Sequence, residues 1–209
     1  MRFPTFHNER ELAAQGYLTI GVDEVGCGCL AGPVVAAAVH LPLHSRMANI
    51  KDSKLLRPAA REKLFEEFLK RGITFSLGIA TVQEVDAINV RQASLLAMWR
   101  ALTGFLENLE KSKKPFALID AWHVPYIKIP QRGIIHGDRL VKSIAAASII
   151  AKVARDRLMH EYERDFPGYG LAQHKGYATA VHRRALTQLG PSSLHRRSFL
   201  KKIQLWADA

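Results

Sequence analysis

Two apolar runs, Tyr17 to Val25 and Pro33 to Leu41, are separated only by the glycine-rich stretch from Gly26 to Gly32. Runs of this kind, joined by a turn too short to hold a helix, specify a hairpin of two strands within a sheet. The first run carries two carboxylates, Asp23 and Glu24, near its end. Acid groups beside exposed backbone N–H donors suit metal-dependent phosphate chemistry. Around the hairpin, strands and helices alternate. Ile73 to Ala80 reads as a third strand, Pro58 to Lys70 as a helix opening on a first-turn proline, and residues 89 to about 110 as another helix. The pattern predicts an α/β layer architecture.

Phe116 to Asp120 is a short apolar strand ending in a carboxylate, and Ile134 to Asp138 reads as a second one ending the same way. Val141 to about Tyr162 is alanine-rich and helical in character, which places Asp138 just before a helix N-terminus. From His174 onward the chain is basic and histidine-rich, with His182, Arg183 and Arg184 followed by His195, Arg196 and Arg197. No repeat or linker divides the chain. A single domain over 1–209 is expected, including a basic helical C-terminal segment from about 174.

The chain has 209 residues, of which 48% are hydrophobic, enough to bury the core of one ordinary domain. Lys and Arg total 30 against 19 Asp and Glu, a net charge of +11, which favours a polyanion such as nucleic acid over an acidic protein as partner. Charge alone leaves a generically basic soluble protein open. The two cysteines, Cys27 and Cys29, are too close for an ordinary disulfide and lack the further ligands of a zinc site, so they read as reduced spectators. No apolar stretch has the length of a membrane span, and the N-terminus lacks the apolar core of a signal peptide. A cytoplasmic protein without membrane association is expected. Nothing such as a heptad seam demands assembly, so a monomer is expected.

Three apolar segments thus end in acids: Asp23 with Glu24, Asp120, and Asp138. Ligands collect at the carboxyl ends of strands in open α/β sheets, so these four side chains can converge. Clustered carboxylates repel one another unless a hard divalent cation neutralises them. A basic protein with an acidic pocket resembles a nuclease more than a passive binder. The plainer alternative is that each Asp is a turn or helix-cap residue. Asp23 and Glu24 also point to opposite faces of an ideal strand, so they share a site only where the strand twists or ends. Gly26 to Ala31 matches the G-x-G-x-x-A form of a dinucleotide fingerprint, but a strand rather than a helix follows, which argues against that site.

These residues fall into blocks: GVDEVGCGCLAGPVVAAAV from Gly21 to Val39, DSK from Asp52 to Lys54, LID from Leu118 to Asp120, and HGD from His136 to Asp138. SIAAASIIAKVARDR from Ser143 to Arg157, HKGY from His174 to Tyr177 and HRRSF from His195 to Phe199 complete them. In content and order they resemble type 2 ribonuclease H, or ribonuclease HII, over nearly the whole chain. The resemblance implies an α/β, ribonuclease H-like mixed central sheet flanked by helices, with a short C-terminal helical segment. It implies an endonuclease that hydrolyses the RNA strand of RNA–DNA hybrids and nicks 5′ to ribonucleotides embedded in duplex DNA. Cleavage by two-metal-ion in-line attack of water leaves 3′-hydroxyl and 5′-phosphate ends. By motif position, Asp23, Glu24, Asp120 and Asp138 take the places of the catalytic, metal-coordinating acids, with Mg²⁺ or Mn²⁺ as cofactor. Gly26, Cys27 and Gly28 match the turn that reads the ribonucleotide 2′-OH through the backbone. Tyr177 matches the tyrosine packed on the sugar after the RNA-to-DNA junction, and Lys54 a phosphate-contacting lysine. The 2′-OH alone separates ribose from deoxyribose, so a backbone-lined turn touching it selects RNA whatever the base.

The chain departs from the family pattern at four places. Cys27 stands where Arg is usual, Ala121 and Trp122 follow Asp120 where Gly is usual, Leu55 replaces a second Lys, and His136 replaces a Lys. Three of these changes remove positive charge near the substrate path, so weaker substrate binding is expected. The Ala121 Cβ and the Trp122 indole are expected to crowd the acids. A type 3 ribonuclease H shares the fold but typically carries an extra N-terminal domain, and only a short stretch precedes Tyr17. A non-catalytic nucleic-acid-binding relative is the alternative from a different class.

Overall fold

The hairpin forms as its pattern requires: β1 (Leu18–Val25) pairs antiparallel with β2 (Val34–Val39), with Gly21 opposite Val39 and Val25 opposite Val35. The computed structural model describes residues 3–45, 47 and 49–201. β3 (Phe75–Ala80) adds antiparallel to β2, while β4 (Pro115–Asp120) and β5 (Gln131–Ile134) add parallel on the other side of β1. The sheet order is β3-β2-β1-β4-β5. This is the mixed sheet flanked by helices that the sequence leads one to expect.

Side-chain alternation divides the sheet into two apolar faces. Ile20, Val22, Val34, Ala36, Ala38 and Ile119 pack on Ala93, Ala97, Met98, Ala101 and Leu102 of α3 (Val82–Glu107). On the opposite face, Ala37 and Val39 meet Leu64, Phe65 and Phe68 of α2 (Pro58–Lys70) and the alanine-rich side of α5 (Lys142–Asp165). α5 lies so close to β1 that a Cβ on Gly21 would come within 2.2 Å of the Ser143 carbonyl carbon. Glycine here is what allows the helix to start beside the acidic end of the strand.

α3 begins earlier than the sequence pattern suggests, at a capping box between Thr81 and Glu84, and breaks at Asn89, whose φ is 67°. The Asn89 side chain accepts the Arg91 and Gln92 N–H groups and caps the second half of the helix, which is where residues 89 onward were expected to start one. α1 (His7–Ala14) was not anticipated. It inserts buried Glu9 across the start of α5, where its carboxylate accepts the Ser143 N–H at 2.8 Å.

One expectation is corrected. Residues 134–138 are not a strand ending in an acid: β5 stops at Ile134, His136 turns left-handed at φ 57°, and Asp138 sits in the first turn of α4 (Gly137–Leu140). The β-branched pair Ile134–Ile135 suggested a longer strand, but the Gly137 N–H bonds to Asp120 Oδ1 at 2.7 Å and pulls the chain into a turn. The C-terminal segment is helical in pieces, α6 (Leu171–His174), α7 (Ala180–Leu189) and α8 (Arg197–Leu200), packed around Leu30, Ala31 and Met159.

Candidate active site

β1 runs past the end of β4: the last paired residues are Val22 and Ile119, so Asp23 to Val25 have no parallel neighbour. Asp23, opposite Ala37, and Asp120 follow in register on the α5 face, whereas Glu24, opposite Ala36, starts from the α3 face and has a buried Oε2, so the adjacent acids leave the strand end on opposite sides. Asp23 is only 5% exposed, and its Oδ1 accepts the Glu24 N–H at 2.7 Å. Asp120, fixed through Gly137, joins the end of β4 to the turn that carries Asp138.

The carboxylates sense one another. Burial, then Glu24, Asp120 and Asp138, push the Asp23 carboxyl well above the usual range. Burial and then Asp120 raise Glu24, against hydrogen bonds from Cys27 and its own backbone and the charge of Lys54. Asp138 is raised by burial, then Asp52 and Asp120, with Lys54 and Arg139 opposing. Glu24 Oε2 is buried and lacks a hydrogen-bond partner among the described residues. An acid set of this kind is short of positive charge, which is what hard divalent cations supply to oxygen ligands. Among the described residues no group of three or more His, Cys, Asp or Glu side chains is drawn together closely enough to hold an ion by itself. Mg²⁺-type sites keep waters and take substrate phosphate oxygens, so an open arrangement of carboxylates fits them.

The glycine turn lies directly after these acids. Gly26 adopts φ 99°, and a Cβ there would meet Arg155 Nε at 2.4 Å, whereas nothing lies within 4 Å of a Cβ on Gly28. The turn is therefore packed from behind and open in front. Behind it are two buried arginines. Arg155 donates to the carbonyls of Pro33, Ala31 and Lys175, and Arg196 to those of Gly32 and Cys27. Cys27 and Cys29 are both free thiols, as expected, but Cys27 is not without contacts. Its thiol stands 3.6 Å from Glu24 Oε1 and, pushed up to about 12 by burial and then by Glu24, stays protonated as a donor.

Tyr177 is 39% exposed, with Lys152 Nζ 5.8 Å from its ring centre. It borders a cavity of about 550 Å³ lined by Arg61, Lys152, Lys175, His160 and Asp156 among others. Lys54 is exposed at the centre of a 3₁₀ turn (Ser53–Leu55) capped by buried Asp52. Leu55 and His136, two of the departures from the family pattern, line a second cavity of about 440 Å³ together with Lys51 and Arg139, so cations remain there. The Trp122 indole lies under Arg91 of α3, 4.4 Å from its guanidinium. The sequence reading did not single out Asp52, Arg155 and Arg196 as functional, although all three lie in the DSK, KVARD and HRRSF blocks.

Comparison with known proteins gives the family and the fold. The family model for ribonuclease HII matches residues 20–202. The ribonuclease HII of Alkaliphilus metalliredigens is 50% identical over 197 residues, covering 93% of this chain and 96% of that protein. That of Dehalococcoides mccartyi is 45% identical over 200 residues, covering 94% and 92%. Among solved structures, Bst-RNase HIII in complex with Mn²⁺ superposes with a TM-score of 0.76 at 20% identity, over 93% of this chain and 71% of that one. The ribonuclease HII of Archaeoglobus fulgidus, solved with PCNA, gives 0.70 at 24% identity, over 90% and 96%. These structural likenesses establish the fold, and the sequence matches establish more: the chain belongs to the ribonuclease HII family of metal-dependent endoribonucleases.

Proposed function

We propose that Asp23, Glu24, Asp120 and Asp138 together form the catalytic metal site of this ribonuclease H, and that Mg²⁺ or Mn²⁺ serves it. The substrates are RNA–DNA hybrids and DNA duplexes containing ribonucleotides, cut 5′ to the ribonucleotide. The observation that carries this reading is the mutual elevation of buried carboxylates at one strand end, with a Glu24 oxygen left unpaired. Held by these four carboxylates, divalent cations would supply the Lewis acidity that in-line hydrolysis at phosphorus needs, for the attacking water and for the leaving 3′ oxygen. The chain itself supplies position. Gly137 fixes the Asp120 carboxylate, Glu24 is oriented by the Cys27 thiol, and the open front of Gly26, Cys27 and Gly28 offers backbone groups to a 2′-OH. Tyr177 offers a ring face to the next sugar, and Lys54 a mobile cation to a phosphate. No covalent nucleophile takes part. One catalytic domain, acting as a monomer, suffices for this chemistry.

The test is cleavage of a labelled duplex carrying one ribonucleotide, beside an all-DNA duplex, in Mg²⁺, Mn²⁺ and EDTA. A metal-dependent nick 5′ to the ribonucleotide, absent in Asp23→Asn, is the expected result. Cleavage that persists in excess EDTA overturns the metal site, and binding without any nick identifies a non-catalytic relative.

A further inference from the structure

Three histidines outside the acid cluster, His174, His182 and His195, are buried beneath the loop that presents Tyr177. Their proton positions follow from the backbone donors around them. The Ser192 N–H donates to His195 Nδ1 at 3.0 Å, so that nitrogen carries no proton and the ring proton is on Nε2. His195 Nε2 lies 3.0 Å from His182 Nε2 and must be the donor. His182 Nε2 then accepts, which leaves its proton on Nδ1, 2.9 Å from the Tyr177 carbonyl oxygen to which it donates. The Gly176 N–H donates to His174 Nδ1 at 3.2 Å, so His174 Nε2 donates to the Tyr169 carbonyl at 2.7 Å. The rings of His174 and His182 stack at 4.2 Å. One arrangement of protons satisfies all six ring nitrogens with every ring neutral. Burial favours those neutral forms in His182 and His195.

The chain of donors has a direction and two ends. One end is the Tyr177 carbonyl. The other is the segment around His195, which is tied to the back of the glycine turn: Ala31 bridges His195, the Gly32 N–H donates to Leu194 O, and the Arg196 N–H donates to Leu30 O. The two elements assigned to the substrate are therefore connected through His195 and His182.

We propose that His182 and His195 are positioning residues for substrate recognition, holding the Tyr177 backbone at a fixed place relative to the Gly26–Gly28 turn so that the two read neighbouring sugars in register. This role rests on the assignment of Tyr177 and the turn to substrate given above. His182 reaches the substrate through the Tyr177 backbone, and that makes its effect on recognition separable from its support of the fold.

The experiment is a double-mutant cycle on the single-ribonucleotide duplex, with melting curves for every variant. His182→Ala is expected to lower kcat/KM about tenfold, the scale of one well-placed hydrogen bond. The loss should match that of Tyr177→Ala, and the double variant should be no worse than Tyr177→Ala alone. His182→Asn keeps an N–H where Nδ1 stood, so it should recover most of the activity while melting as low as His182→Ala. Multiplicative losses in the double variant, or an Asn variant as impaired as Ala, overturn the proposal. If Tyr177→Ala cleaves normally while Asp23→Asn is dead, the Tyr177 contact and this role both fall and the carboxylate site stands. Should His182→Ala not fold, His195→Gln against His195→Leu poses the same question, since Gln retains a donor toward His182, and equal kinetics for the two would sink the idea.

Discussion

At the end of β1 the polar groups are left wanting: buried carboxylates raise one another, and Glu24 Oε2 has no hydrogen-bond partner among the described residues. Behind the glycine turn, a few residues further along, the opposite holds. Arg155 and Arg196 each donate three hydrogen bonds to carbonyls, and six histidine nitrogens are all engaged. The carboxylate end is electrostatically incomplete, as the proposed binding of cations and phosphate requires, while the turn proposed to read the sugar is over-determined, which holds its backbone in place. The two regions are built on contrary rules, and each rule can be tested by breaking it.

The largest effect is expected at the incomplete end. Asp23→Asn should bring cleavage to background and yet melt higher than wild type in EDTA, because one of the mutually repelling buried charges is gone. Saturating Mg²⁺ should shrink or reverse that difference, since only the wild type gains fully from the ion. A variant that melts lower in EDTA makes Asp23 a structural residue and removes the contrast. Next comes the over-determined end. Arg155→Lys keeps the charge but not the three-carbonyl fork, and should cost about 3 kcal/mol or more in urea unfolding. A loss under about 1 kcal/mol would show that the fork is dispensable.

Acid should probe the histidines. His195 titrates at about 4 in the folded protein, against 6.5 ordinarily, so the unfolded chain takes up the proton first as pH falls. Its contribution to stability is complete above about pH 6.5 and is lost toward pH 4. The gap in melting temperature between wild type and His195→Gln should therefore narrow across that window. A gap independent of pH places the acid sensitivity elsewhere. The smallest effect is at Cys27. Cys27→Arg should tighten binding to the duplex a few-fold at low salt, with the slope of log affinity against log salt steeper by about 0.9 for one added phosphate contact. No gain at matched salt would mean that the lost charge at this turn is immaterial to binding.

Much of the framework was legible because it is written in local periodicity. The β1–β2 hairpin, β3, α2 and α5 lie where the apolar patterns place them. Asp23, Glu24 and Asp120 were visible as acids closing apolar strands. Asp138 was read as closing a strand, which it does not: its place depends on the hydrogen bond from Gly137 to Asp120, a contact seventeen residues apart that no local pattern reveals. The start of α3 was there to be read in Thr81 and Glu84, a capping box. α1 buries little beyond Glu9 and Leu12, so its amphipathic signal is faint and its purpose appears only against α5. The histidine and arginine framework was legible only as a basic, histidine-rich stretch from His174 and an arginine within the Ser143 to Arg157 block, because buried polar networks assemble from residues distant in sequence.

The tie between Arg196 and the glycine turn spans 164 residues to Gly32 and 169 to Cys27. A growing chain thus presents this turn well before the arginine that holds its back has been made. Contacts of such long range close late in folding, after the loop entropy between them has been overcome. The rigidity of the turn is consequently acquired later than the strand beside it: a nascent chain that already contains Asp23 and Glu24 has no Arg196 to fix the backbone next to them.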